Sequence, residues 1–253
     1  MRVLVRVIPV VAVFVLAACQ QSGVIEHSQA DRTKLAEVNT ELAFEYMKQG
    51  EYEIALEKLQ KAVDADASHV DAHNAYGVLY STLGQLDKAE ASFQRALRLD
   101  PGNSSALNNY GQFLCQSKRY AEGQEQFLDA VNNPLYKYPA VAYTNAGICA
   151  SAAGDLEAAE THFRQALELE PRFARALIEM ADLSFRKDRY LSARGYLQRY
   201  LEVGKHNPRT LWLGIQVERK LGDKSALGSY GLRLEKNFPD ANETRLYLES
   251  KSP

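Results

Sequence analysis

The sequence has almost no excess of either charge. Its 30 lysines and arginines stand against 32 aspartates and glutamates, so the formal net charge of the 253-residue chain is −2. Proteins that bind nucleic acid through its phosphates carry a clear basic excess, usually clustered on one face. The charge composition therefore predicts that this chain has no nucleic-acid partner.

Long apolar runs are missing after residue 18, and the run at the start is short. Two arginines precede about ten mostly apolar residues from Val7 to Leu16, which are too few to cross a bilayer and are typical of a signal peptide. The run ends in Leu-Ala-Ala-Cys, which resembles the lipobox of bacterial lipoproteins. We therefore predict that residues 1–18 are removed and that Cys19 is acylated, because several acyl chains hold a protein stably on a membrane.

Cysteine is scarce, with three in the whole chain. Apart from Cys19 there are Cys115 and Cys149, and in an oxidising compartment two cysteines allow one disulfide. Bridged cysteines need Cα atoms about 4.4–6.8 Å apart, whereas packed helices lie about 8–10 Å apart. The pairing therefore depends on side-chain orientation. The sequence leaves open a disulfide or two small buried hydrophobic residues.

Recognisable catalytic motifs are missing as well. The chain has no Gly-x-Ser-x-Gly elbow, no His-Glu-x-x-His motif and no phosphate-binding loop. The nearest approach to a metal pair is His69 and His73, but His69 falls in a predicted turn before the helix of His73. We predict no enzymatic activity, no metal, no cofactor and no small-molecule substrate. Function should then reside in a binding surface.

A polar segment follows the acylation site. Residues 20–33 lack hydrophobic periodicity, so we predict that 19–33 form a lipidated N-terminus and a flexible tether. A random coil of this length reaches roughly 20 Å. The remainder, 34–253, is predicted to form a single helical domain.

Self-similarity is the dominant pattern after the tether. Small residues recur at intervals of 33 to 36 positions, at Ala43, Gly77, Gly111, Gly147, Ala181 and Gly214. A second small residue follows each of them twelve positions later. A large residue follows after four more, at Leu59, Phe93, Phe127, Phe163, Leu197 and Tyr230. Small residues let two helices approach closely, and the large residue fills the space between them.

These columns resemble the tetratricopeptide repeat, a pair of antiparallel helices, A and B, that repeats every 34 residues. The resemblance implies an all-α, right-handed solenoid of about six helix–turn–helix repeats plus a C-terminal capping helix. The predicted repeats lie near 36–69, 70–103, 104–139, 140–173, 174–206 and 207–239, with the cap at 240–250. Two extra residues separate repeats three and four.

In tetratricopeptide proteins helix A lines a concave groove, and stacked repeats present such grooves as binding surfaces. The positions carried over to this chain have polar amides in the middle and apolar residues at both ends. We predict partner contacts at Phe44, Met47, Asn74, Val78, Asn108, Asn109, Gln112, Asn145, Ile148, Phe185, Trp212 and Ile215. Amides suit the backbone of an extended polypeptide, and the apolar residues would act as anchors. Some of the apolar residues are expected to pack under the N-terminal segment or the capping helix instead.

The lipobox, the polar tether and the six repeats together resemble the PilF/PilW family of type IV pilus biogenesis lipoproteins. The resemblance implies a pilotin, anchored in outer-membrane lipid on the periplasmic face, that binds secretin subunits and promotes their localisation and multimerisation. Gln20, directly after the acylated cysteine, is consistent with outer-membrane delivery. The alternative function is a general envelope scaffold for peptidoglycan enzymes or barrel-assembly factors.

Overall fold

Helices are the only regular secondary structure in the part of the chain that the structure describes. The computed structural model describes the backbone of residues 18–251 and the side chains of residues 29–251. Residues 1–17 of the predicted signal peptide and the side chain of Cys19 lie outside the described residues. The helices are α1 Ala18–Gln49, α2 Tyr52–Ala65, α3 Val70–Thr82, α4 Leu86–Leu99, α5 Ser104–Gln116, α6 Tyr120–Asn132, α7 Pro139–Ala153, α8 Leu156–Leu169, α9 Ala174–Arg186, α10 Tyr190–Leu201, α11 Pro208–Leu221, α12 Lys224–Asn237 and α13 Asn242–Glu249.

The helices pack as consecutive pairs within two compact units, one ending at Leu99 and the other beginning at Asp100. The first unit contains the pairs α1–α2 and α3–α4. The second contains α5–α6, α7–α8, α9–α10 and α11–α12, with α13 packed on α11 and α12. Six helix pairs followed by a single helix confirm the predicted all-α repeat fold.

The small and large columns of the sequence meet inside each pair. Phe93 and Phe163 are only 1% exposed. A Cβ atom added to Gly77 would lie 2.5 Å from the Phe93 ring, and one added to Gly147 would lie 2.5 Å from the Phe163 ring. The absence of a side chain at these positions is therefore what allows the two helices of a repeat to close over an aromatic ring.

The segment predicted to be a flexible tether is helical instead. Residues 20–33 belong to α1, which runs without a break into helix A of the first repeat. The segment contains no proline, and extending an existing helix adds a hydrogen bond for each residue fixed. Its last part is also attached to the first unit, because Arg32 Nε donates a hydrogen bond of 3.0 Å to the carbonyl of Ala65 at the end of α2.

An ion cluster joins repeat four to repeat five. Glu160 of α8 is 9% exposed and accepts hydrogen bonds from Lys187 Nζ at 2.7 Å and from Arg189 Nη1 at 2.9 Å. Arg164, one turn further along α8, donates to the same carboxylate at 2.7 Å. The hydrogen bonds from Lys187 and then Arg164 are the main causes that lower the pKa of Glu160 from 4.5 to about 2.

We expect Glu160→Gln to lower the free energy of unfolding at pH 7 by about 2 kcal/mol, because a depressed pKa measures stabilisation of the charged form. The folded-state pKa lies below the unfolded value, so this contribution is present above pH 4.5 and is lost as the pH falls toward 2. Urea unfolding of wild type and variant at pH 7 and pH 2.5 measures it. The matched control is Glu157→Gln, whose side chain is 82% exposed and should contribute little. An equal deficit at both pH values would contradict the assignment.

Candidate partner-binding groove

In the first unit, the predicted groove residues lie on α1 and α3. Phe44 and Met47 are partly buried and pack against the core between α1, α2 and α3. Asn74 is 4% exposed, and Val78 is half-buried. Phe44 and Met47 therefore present only part of their surface for a partner, and the rest of each side chain stabilises the first unit.

In the second unit, the predicted amides form a bridge between helices. Asn145 Nδ2 of α7 donates to Asn108 Oδ1 of α5 at 3.0 Å, and Asn108 Nδ2 donates to Asn109 Oδ1 at 3.4 Å. Asn108 and Asn145 are 7% and 6% exposed. These two asparagines therefore hold α5 and α7 in register. Of the other two predicted amides, Gln112 is exposed, and Asn109 is half-buried at the border of the bridge.

A pocket of about 280 Å³ opens beside this bridge. Its lining comes from α5, α6, α7 and α9 and consists of Gln112, Cys115, Gln116, Phe127, Asn145, Ile148, Cys149, Ala152 and Arg175. The floor and walls are mostly apolar, while two glutamines, an asparagine and an arginine supply polar groups. This arrangement suits an apolar side chain that projects from an extended polypeptide whose backbone is bound by the polar groups. The structure thus brings Gln112, Asn145 and Ile148 together, as their helix A positions predicted.

A disulfide forms part of the pocket wall. The sulfurs of Cys115 on α5 and Cys149 on α7 are bonded, with their Cα atoms 5.7 Å apart. This separation is within the range that a disulfide needs. A side chain at Gly123 would collide with the Cys115 sulfur, so the glycine leaves the space that the bridge occupies. The cysteine spacing alone left this pairing open, and neither the bridge nor Phe127 was predicted to line the groove.

The predicted apolar end of the groove is only partly available. Phe185 of α9 is half-buried, with its ring 5.6 Å from that of Tyr190. Trp212 of α11 is also half-buried, beside the core of the last repeat. Ile215 is fully buried with Leu211, Leu234 and Tyr247. The prediction that Ile215 contacts a partner is therefore wrong, because Tyr247 of α13 packs in the same cluster.

The groove face of α9 carries charges that compensate one another. Arg209 of α11 donates to both carboxylate oxygens of Glu179, each at 3.0 Å. Next to this pair, burial holds the pKa of Asp182 above its usual value, although the nearby charge of Arg209 lowers it in part. In the repeat-five part of the groove, Glu179 therefore compensates the charge of Arg209. Among the residues that the structure describes, no helix is both long and apolar enough to cross a membrane.

Comparison with known proteins agrees with this architecture. Models of the tetratricopeptide repeat match residues 40–104, 103–170 and 150–210, which together include most of the helix pairs. The chain is therefore a tetratricopeptide-repeat protein, a class whose helix A faces form binding surfaces.

Two relatives define the family more closely. The type IV pilus assembly protein PilF of Pseudomonas aeruginosa is 31% identical to this chain, over 93% of this chain and 94% of PilF. The solved structure of that PilF aligns with a TM-score of 0.77 over 87% of this chain and 100% of its own. The structure of PilW, described as a widely conserved type IV pilus biogenesis factor, aligns with a TM-score of 0.78 over 84% and 98%, also at 31% identity. The chain belongs to the PilF/PilW family.

Proposed function

We propose that this protein is an outer-membrane lipoprotein pilotin for type IV pilus biogenesis. In this proposal it binds secretin subunits, brings them to the outer membrane and promotes their multimerisation. The observation that carries the proposal is the 31% identity with a type IV pilus assembly protein over nearly the full length of both chains. The lipobox before Cys19 supports the membrane anchor.

The mechanism combines an anchor with a binding surface. Acyl chains on Cys19 hold the protein on the periplasmic face of the outer membrane, because each buried methylene contributes about 0.8 kcal/mol. The pocket of repeats three and four takes an apolar side chain of the secretin subunit, while Gln112, Gln116 and Arg175 bind polar groups around it. Holding the subunit at the membrane raises its local concentration, which favours assembly with its neighbours.

The anchor is tested by Cys19→Ser. We expect the variant to fold normally but to leave the outer membrane, because it lacks the acyl chains that attach the protein there. Secretin multimers at the outer membrane should then decrease by about tenfold or more, because the carrier no longer concentrates the subunits at that membrane. Membrane fractionation, followed by immunoblotting of each fraction for this protein and for secretin multimers, measures both effects. A normal amount of multimer at the outer membrane in this variant would contradict the pilotin function.

The pocket is tested by Ala152→Glu. Ala152 is exposed and lines the pocket, so the new carboxylate would enter an apolar space without disturbing the core. We expect at least tenfold weaker binding of a purified secretin fragment in a fluorescence titration, because the glutamate would fill space that the partner's apolar side chain needs and would place a charge beside that side chain. Ala153→Glu is the matched control, since Ala153 is exposed on the same helix and does not line the pocket.

Capture experiments distinguish the pilotin from a general envelope scaffold. A pilotin should retain secretin subunits through the groove, whereas a scaffold should retain peptidoglycan enzymes or barrel-assembly factors. Unchanged secretin binding by Ala152→Glu, together with mislocalised multimers in Cys19→Ser, would overturn the pocket assignment and leave the pilotin function standing.

A further inference from the structure

An apolar stripe runs along one exposed face of α1. The stripe consists of Leu35, Val38 and Leu42, whose exposed fractions are 53%, 38% and 40%. Spacings of three and four residues place them on a single side of the helix. Phe44 and Met47, the predicted groove residues, lie on a different side of α1 by the same helical geometry. The stripe is therefore a second surface of the first repeat.

The same face is covered in later repeats. Val38 and Leu42 stand five residues and one residue before the small residue Ala43. Equivalent positions are Ala72 and Tyr76 on α3, Ala142 and Ala146 on α7, and Ala176 and Met180 on α9. All of these except half-buried Tyr76 are at most 1% exposed. They lie in helices that pack against helix B of the preceding repeat, namely α2, α6 and α8.

Repeat one thus leaves apolar residues exposed at positions where α3, α7 and α9 are covered by a helix. A terminal repeat normally carries a polar outer face, which keeps the stack soluble. A Leu–Val–Leu stripe is instead the pattern with which a helix surface binds the apolar seam of another helix.

Charges along the border of the stripe indicate what kind of helix fits. Glu37, Glu41 and Glu45 follow one another at intervals of four and are all exposed. Lys34 pairs with Glu37 at 2.7 Å and Lys48 pairs with Glu45 at 2.6 Å. Three carboxylates beside two ammonium groups leave this border net negative, which favours a basic ligand and disfavours an anionic lipid surface.

We propose that the stripe binds an amphipathic helix of a partner protein, with basic residues along one flank of its apolar seam. That helix would pack against α1 in the way that helix B of the preceding repeat packs against α3, α7 and α9. A second copy of the chain fits less well, because antiparallel docking of two stripes would bring their acidic borders together. The proposal does not depend on the pilotin function, since it concerns a different surface.

Site-specific photo-crosslinking in cells tests the proposal with the full-length protein. The probe is p-benzoylphenylalanine placed at Leu42, with the same probe at Leu191 as the matched control. Leu191 is 72% exposed on α10 and belongs to no stripe. We expect the Leu42 probe to capture a polypeptide, and the crosslinked segment, sequenced by mass spectrometry, to be helix-forming and amphipathic with a basic flank.

The captured segment is then synthesised and titrated against purified variants. Leu42→Asp should weaken its binding by about tenfold or more, and Glu41→Lys by about threefold or more. Leu191→Glu should leave the affinity unchanged, and circular dichroism should show the same helicity and melting temperature for all variants. Four results would overturn the proposal: capture of lipid, capture of a second copy of this chain, capture no stronger than at Leu191, or an affinity that neither stripe variant alters.

Discussion

Replacing Gly147 with alanine should lower the free energy of unfolding by about 2 kcal/mol, although alanine is the better helix former. The added Cβ would meet the buried ring of Phe163 at 2.5 Å, and the close-packed core leaves the ring no room to retreat. Replacing Phe163 with leucine in the same chain should recover most of this loss. The single substitution Phe163→Leu should itself be destabilising, by about 1–2 kcal/mol, because it leaves a cavity.

The chain itself supplies the reason for expecting this rescue. Four repeats combine a glycine on helix A with an aromatic ring on helix B, whereas repeats one and five combine alanine with leucine. Ala43 and Leu59 are both fully buried in one core cluster, and Ala181 and Leu197 lie in another. The backbone of a repeat thus accommodates either pair, and the volume added on one helix is removed from the other.

A double-mutant cycle measures this coupling by urea denaturation of the two single variants and the double variant. We expect the double variant to be more stable than the sum of the single losses predicts, by about 2–3 kcal/mol. Gly195→Ala is the control, since a Cβ there meets nothing within 4 Å, and it should be neutral or stabilising. Strict additivity of the two changes would show that the helices do not compensate in this way.

Removing the disulfide should lower the free energy of unfolding by about 3 kcal/mol. Cys115 and Cys149 are separated by 34 positions, so the bridge closes a loop of intermediate length in the unfolded chain. The double variant Cys115→Ala/Cys149→Ala removes this restraint without leaving a reactive thiol. Contacts in a repeat array are mainly between neighbours, so the loss should be concentrated in repeats three and four.

Urea unfolding with and without dithiothreitol checks the size of the effect, and hydrogen exchange checks its location. Dithiothreitol should destabilise the wild type to the same degree and should leave the double variant unchanged. Amide exchange should accelerate in α5, α6 and α7, while α11 to α13 should keep their protection. Uniform acceleration throughout the second unit, or no response of the wild type to the reductant, would contradict the expectation.

The fold was predictable because its rule is local and repeated. Gly77 with Phe93 and Gly147 with Phe163 show the same steric relation at the same spacing, and every further copy strengthens the prediction. The helical structure of residues 20–33 was not predicted, because these residues have no apolar periodicity. They extend the helix of the first repeat, and such an extension does not require that periodicity. The two extra residues between repeats three and four lie in the connection between α6 and α7, where the repeat pattern requires no particular residue type.

The groove was less predictable, because its details depend on contacts between helices that are far apart in sequence. Asn108 and Asn145 were correctly placed on helix A faces, but their mutual hydrogen bond depends on the distance between α5 and α7. Ile215 has a groove position in the repeat pattern, and its burial depends on Tyr247 from a helix outside the repeats. The disulfide required the orientation of two side chains, which spacing does not determine.

The matched small and large residues also restrict how a gene for a repeat protein of this kind can gain or lose repeats by recombination. Duplication or deletion of one complete repeat keeps Gly147 with Phe163, or Ala181 with Leu197. A crossover within a repeat would join Ala181 to Phe163, which overfills the space, or Gly147 to Leu197, which leaves it partly empty. Products of recombination between repeats four and five that still fold should therefore have their junctions in the connections between repeats, whereas repeats that share the glycine–aromatic pair can also be joined within a repeat.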